Sequence, residues 1–181
     1  IKGISAEKAR EISKEFINRA QEREALIALE KYGLSTAECL RIFKTYGART
    51  VETVEKNPYA LCSDGIGITF ERACEIADKL PVRPDDEYRI AAGVLYVVRH
   101  NLHNGHTCLP REKLVPTAAM LLGCSDDTAD IQTDKLIEQK QLSSYMLNSR
   151  DFIFMPDIFN AEKKAADSIL FMKHFTPKNL S

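Results

Sequence analysis

The sequence lacks an excess of either charge. Twenty-five lysines and arginines stand against 26 aspartates and glutamates, for a formal net charge of −1. A chain this balanced does not hold a polyanion by bulk charge, so any phosphate contact has to be local. It has no tryptophan. No apolar run approaches the length of a membrane span, and no stretch reads as a secretory signal. Glycine and proline are scarce, at 8 and 7 of 181 residues, so each is read as punctuation. Several catalytic signatures are missing: Gly-x-x-x-x-Gly-Lys-Ser/Thr, Gly-x-Ser-x-Gly, His-Glu-x-x-His, and Gly-x-Gly-x-x-Gly before a helix. The acid pairs Asp85-Asp86 and Asp126-Asp127 fall at predicted helix starts, where capping explains them. Five cysteines, an odd number, suit reduced thiols and a cytoplasmic setting.

What is present is a recurring turn. Gly65-Ile66-Gly67 is followed by Ile68, the hydroxyl residue Thr69, and an amphipathic run with Phe70, Ala73, Ile76 and Ala77 on one face. Glycine lets the backbone take a left-handed φ and approach another molecule closely. Thr69 is a good N-cap. Such a bend between two short helices aims main-chain N–H groups and a positive helix end at a phosphate, the design of a helix-hairpin-helix element. The spacing recurs: Gly67, Ile68, Thr69, Ala73, Ile76; Gly33, Leu34, Ser35, Cys39, Ile42; and Gly3, Ile4, Ser5, Ala9, Ile12. Because Ile1 falls inside such a motif, the expectation is a piece of a longer protein.

In chain order, Ser5 caps a predicted helix to about residue 17, with Ala9, Ile12, Phe16 and Ile17 inward, and a second helix spans about 19–32. Ser35 and Glu38 form a capping box for helix 36–46, in which Leu40, Ile42 and Phe43 face inward. A short helix runs from Thr50 to Lys56. Asn57-Pro58 opens one more turn, and helix 70–80 follows the central hairpin. Pro81 and Pro84 mark a boundary near residue 83. Beyond it come a helix from Asp85 to about Asn101 with Tyr88 inward, an extended piece at 106–109, and helix 111–122. Helix 127–140 follows with Ile131 inward. Alternation at 142–147 and 152–155 around Asn148-Ser149-Arg150-Asp151 predicts a β-hairpin. A last helix, about 158–173, carries Ile158, Ala161, Ala165, Ile169 and Leu170. The predicted fold is mainly α: tandem helix-hairpin-helix elements over 1–83, a winged-helix-like unit with one small β-hairpin over 84–156, and a connecting helix over 157–181.

An ordered series of short motifs resembles a known family. It comprises Tyr46-Gly47, Asn57-Pro58-Tyr59-x-Leu61, Gly65-Ile66-Gly67-x-x-Phe70-x-x-Ala73, Arg89-Ile90-x-Ala92-Gly93, Gly105-His106-Thr107-x-Leu109-Pro110 and Ala161-Glu162. Together they resemble the region ahead of the motor in RecD-like helicases of the RecD/TraA group. The resemblance implies a parent ATP-driven 5′-to-3′ DNA helicase of recombination and repair, using ATP and Mg²⁺ in a motor C-terminal to this segment. The segment itself, without a P-loop, is expected to hydrolyse no ATP and to need no cofactor. Ser5, Ser35 and Thr69 stand where the ideal hairpin has a second glycine, and Cys39 where it has alanine.

The candidate DNA contacts are Gly65, Ile66, Gly67, Thr69 and Arg72 at the central hairpin, Gly33 and Ser35 at the second, Gly3 at the first, and Lys135 and wing residue Arg150 in the second half. Main-chain contacts carry no base information, so the expected partner is single-stranded or forked DNA bound without sequence preference. The other expected partners are the motor domain of the same protein and possible protein partners; no membrane is expected. The alternative is a protein-interaction module that docks the helicase without touching DNA. His100, His103, His106 and Cys108 crowd together but match no closed zinc spacing, so no metal is expected.

Overall fold

In the computed structural model, residues 5–173 are described. Gly3, and with it the turn of the first repeat, lies outside them. The chain divides into two compact units between Tyr88 and Arg89.

The first unit contains α1 (Ala6–Glu30), α2 (Thr36–Tyr46), α3 (Thr50–Lys56) and α4 (Phe70–Ala77), with 3-10 turns at Gly47–Arg49 and Pro58–Cys62. The two helices expected over 5–32 are one. No glycine or proline interrupts Ala6–Glu30, and Arg19 bridges back to Glu15 at 2.6 Å across the supposed break. The stripe expected to face inward there does not: Ala9, Ile12, Phe16 and Ile17 are exposed, Phe16 at 73%. α1 joins the core only in its last turns, through Ala25 and Leu29. Leu40, also expected inside, is exposed.

The repeat is visible as packing. Tyr32 and Ile66, Leu34 and Ile68, Cys39 and Ala73, and Ile42 and Ile76 are equivalent pairs, and all eight residues are buried. The apolar residues on either side of each turn glycine anchor the bend, and the helix that follows buries the next two. Asn57 caps the Pro58–Cys62 turn, its side chain accepting from the Ala60 amide at 3.2 Å. Tyr59 and Phe70 pack rings at 5.9 Å.

The second unit runs α5 (Glu87–His103, which begins at the boundary), β1 (Leu109–Pro110), α6 (Arg111–Leu122), α7 (Asp126–Glu138), β2 (Ser143–Leu147), β3 (Arg150–Phe154) and α8 (Pro156–Lys173). The strands form an antiparallel sheet in the order β1-β3-β2, with Ile153 opposite both Leu109 and Ser144. Helix, short strand, two helices and a β-hairpin thus follow one another, as the sequence order predicted. The motif Arg89-x-x-x-Gly93 has a packing explanation. Arg89 donates to the Leu122 carbonyl at 2.9 Å, and a Cβ on Gly93 would lie 2.5 Å from Leu122 Cδ2. One helical turn of α5 therefore grips the C-terminus of α6, which Gly123 closes in the left-handed conformation.

Several side chains expected inside this unit face outward. Tyr88, Leu121 and Ile131 are exposed, and so are Ala161, Ala165, Ile169 and Leu170, because α8 buries no residue. α7 instead buries Ala129, Gln132, Thr133 and Leu136. Arg111 sets that rotation. Its Nε donates to Asp130 at 2.7 Å and one terminal nitrogen to Asp134 at 2.6 Å, with Asp151 of β3 at 3.6 Å. This one guanidinium thus ties α6, α7 and the hairpin.

Gly93→Ala should destabilise the protein by about 1–3 kcal/mol in urea unfolding, since the added methyl meets a packed leucine. The Arg111 hydrogen bond holds the Asp134 carboxyl below its ordinary value of 3.8. Its contribution is therefore full above that value and is lost as pH falls through the lower folded one. Thermal melts between pH 6 and roughly 2 should show an acid decline that is shallower in Arg111→Ala.

Candidate nucleic-acid interface

The two described turns of the repeat have the same backbone plan and opposite electrostatic endings. At the second turn, Gly33 has φ +82° and Ser35 caps α2. The Ser35 Oγ accepts from the Glu38 amide at 3.3 Å, and the Ser35 amide donates to Glu38 Oε2 at 2.7 Å. The helix end that could face a phosphate is thus closed by the protein's own carboxylate. Hydrogen bonds from the Ser35 backbone and hydroxyl hold Glu38 below the usual carboxylate range, and the positive charges of Arg72 and Arg41 push it the same way more weakly. The carbonyl side is closed as well: Lys79 Nζ donates to the Tyr32 carbonyl at 2.9 Å, and Arg72 to that of Gly33.

At the central turn, Gly67 has φ +70°, and Thr69 caps α4 by accepting from the Arg72 amide at 3.3 Å. The residue equivalent to Glu38 is Arg72, so the capping box of the second turn has no counterpart here, and the acid in the first turn of α4 is Glu71. Gly65, Gly67 and Thr69 are exposed while Ile66 and Ile68 are buried beneath them. A Cβ on Gly65 or Gly67 would meet nothing within 4 Å.

The set of main-chain donors is smaller than the sequence suggested. The amides of Ile66 and Gly67 both donate to the Ser63 carbonyl at 3.0 Å, and that of Ile68 to Leu61 at 3.2 Å. These bonds shape the bend, so the Ile66 and Gly67 amides already have acceptors within the turn. The amides of Gly65 and Thr69 donate to no backbone acceptor among the described residues. The side chain of Arg72 is also committed, bonding Gly33 and Glu75. It braces the second turn from α4 and does not reach outward.

The candidates of the second unit are not gathered into a basic surface. Lys135 is half-buried and has a partner of its own. Arg150 is the first residue of β3 and pairs with Glu112 at 3.4 Å. Exposed on or near the same helices are Asp126, Asp127, Asp134 and Glu138, and the outer strand β2 shows Tyr145, Met146 and Leu147. Among the histidines, His103 Nδ1 lies 2.8 Å from the Arg99 carbonyl and His100 stacks on Tyr96. Among the described residues no group of three or more metal-binding side chains comes together.

The sequence reading missed the cations that buttress the turns, Lys79 and Arg41. Arg41 Nε donates to the Ile66 carbonyl at 3.1 Å. No local pattern flags these residues, since the carbonyl each one meets belongs to the other repeat.

Residues 18–108 match the helix-hairpin-helix domain of ATP-dependent RecD2 DNA helicases. The chain belongs to that family. Over 179 aligned positions, covering 93% of the chain, it is 23% identical to the ATP-dependent RecD2 DNA helicase of Deinococcus radiodurans. It spans a quarter of that relative's length. The matched stretch takes in both described turns of the repeat, so this RecD2-type region carries one self-closed hairpin and one open hairpin. Glu38→Ala should cost about 1 kcal/mol by removing the capping box, measured by urea unfolding, and should flatten the acid decline of the first unit.

Proposed function

We propose that this RecD2-type accessory region holds DNA by its backbone at the central hairpin, without sequence preference. The observation that carries the reading is the open turn. Gly65, Gly67 and Thr69 stand exposed on buried isoleucines, and the α4 end above them has Arg72 where the second turn has its capping Glu38. A near-neutral chain needs a local site of this kind, because a helix N-terminus and uncharged amides attract a phosphate without bulk charge. Single-stranded or forked DNA is the partner that suits a helicase, and the motor of the same protein would act on the strand held here. ATP and Mg²⁺ belong to that motor. The turn of this chain does not fit a triphosphate, since three of its amides are internally bonded and no P-loop lysine follows. A 5′-to-3′ direction, a place in recombination and repair, and a cytoplasmic setting follow from the RecD/TraA resemblance.

A second reading is favoured by the second unit. Its acids on α7 and the exposed Tyr145, Met146 and Leu147 suit a protein partner better than a phosphate backbone. On this reading the winged-helix-like unit docks against protein while the hairpins meet DNA.

Gly65→Asp tests the first reading. Gly65 has no left-handed φ and open space at its Cβ, so the substitution places a carboxylate on the turn at little cost to folding. Fluorescence anisotropy with labelled forked DNA at low salt should show affinity falling about 10-fold, as a like charge beside a phosphate requires. Equal affinity for wild type and Gly65→Asp would remove the central hairpin from the interface.

A further inference from the structure

We propose that Arg41, a residue of α2, is a direct phosphate contact of the open hairpin, so that this hairpin's DNA site is built from both repeats. The inference rests on the reading of the Gly65–Thr69 turn as a DNA site, and it adds the side chain that gives the site its charge. The ligand is a phosphodiester of the DNA backbone.

The argument begins with what each buttressing cation has left over. A guanidinium carries five N–H donors. Arg72 uses its two terminal nitrogens on Gly33 and Glu75. Arg111 uses Nε and both terminal nitrogens on α7. Arg41 is exposed and uses Nε alone, on the Ile66 carbonyl at 3.1 Å. Its terminal nitrogens have no acceptor among the described residues. Anchoring a turn carbonyl needs one donor, and the remaining fork has the geometry that grips a phosphate.

Its position is the second point. Ile66 lies between Gly65 and Gly67, so the anchored end of Arg41 sits against the turn whose Gly65 and Thr69 amides lack backbone acceptors. The anchor holds the guanidinium there and lowers the entropy lost on binding. The repeat supplies a comparison: the residue of α4 equivalent to Arg41 is Glu75, which pairs with Arg72. The closed hairpin thus has an acid at the place where the open hairpin has a cation. Glu38, one turn before Arg41, is committed to Ser35. The nearest acid in sequence to the open turn is Asp64, which has a partner of its own.

The test is the salt dependence of binding of the full chain to labelled forked DNA, followed by anisotropy. Arg41→Gln keeps a donor for the Ile66 carbonyl and removes the charge. It should weaken binding about 3–10-fold and lower the log–log salt slope by about 0.7–0.9, the value of one phosphate contact. Its thermal midpoint should stay within about 2 °C of wild type. Arg41→Lys should retain most of the slope. Arg19→Gln, which removes an exposed arginine of α1, should change neither affinity nor slope. A wild-type slope in Arg41→Gln overturns the proposal, as does an equal loss in Arg19→Gln. If Gly65→Asp weakens binding while Arg41→Gln does not, the hairpin reading stands and this one fails. If Arg41→Gln alone weakens binding, Arg41 meets DNA outside the hairpin, and both the hairpin reading and this shared site fail. No binding by wild type at low salt removes both.

Discussion

The structure of the first unit depends on giving partners to the main-chain groups left exposed where a helix begins and a sharp turn bends. A glycine turn needs hydrogen-bond partners for its carbonyls, and the following helix leaves amides at its N-terminus. Here the carbonyls are satisfied across the repeat. Arg41 of the second repeat reaches Ile66 of the third, and Lys79 and Arg72 of the third reach Tyr32 and Gly33 of the second. Each hairpin is therefore held in shape by cations from its neighbour. Both repeats bury equivalent residues, Leu34 and Ile68, and Ile42 and Ile76, which add apolar area to the core.

The amides are treated differently in the two turns, and that difference gives them different capacities. A carboxylate of the same helix occupies the end of α2 and takes the Ser35 amide. The end of α4 has threonine as its cap and arginine at the position where glutamate would close it. Two copies of one motif thus end differently, one with its helix start closed by glutamate and one with arginine at that place.

The second unit solves a different problem. A short sheet and three helices enclose a small core, and Arg111 and Arg89 fix the rotation of α7 and the approach of α5 to α6. The cost is that the acids of α7 are committed to, or crowd around, a structural arginine. The exposed face around them then shows Asp126, Asp127 and Glu138.

Much of this was legible in the residues. Ser35 with Glu38, Asn57 with Pro58, and Thr69 before Phe70 announced helix starts because caps act within one turn of chain. The spacing of Gly33 and Gly67 announced a repeat because only glycine takes those φ values without strain. The β-hairpin was legible from its alternation around Asn148-Ser149. What failed were statements about which face is buried: Ile12, Phe16, Ile131 and Ile169 have helical spacing but are exposed among the described residues. Periodicity gives a face, and only a neighbouring element makes it inside. Tertiary structure alone decided which amides remain open, that Arg72 turns inward, and that Arg41 meets the central turn. Those outcomes depend on carbonyls and carboxylates brought together from distant parts of the chain, and no local pattern encodes that distance.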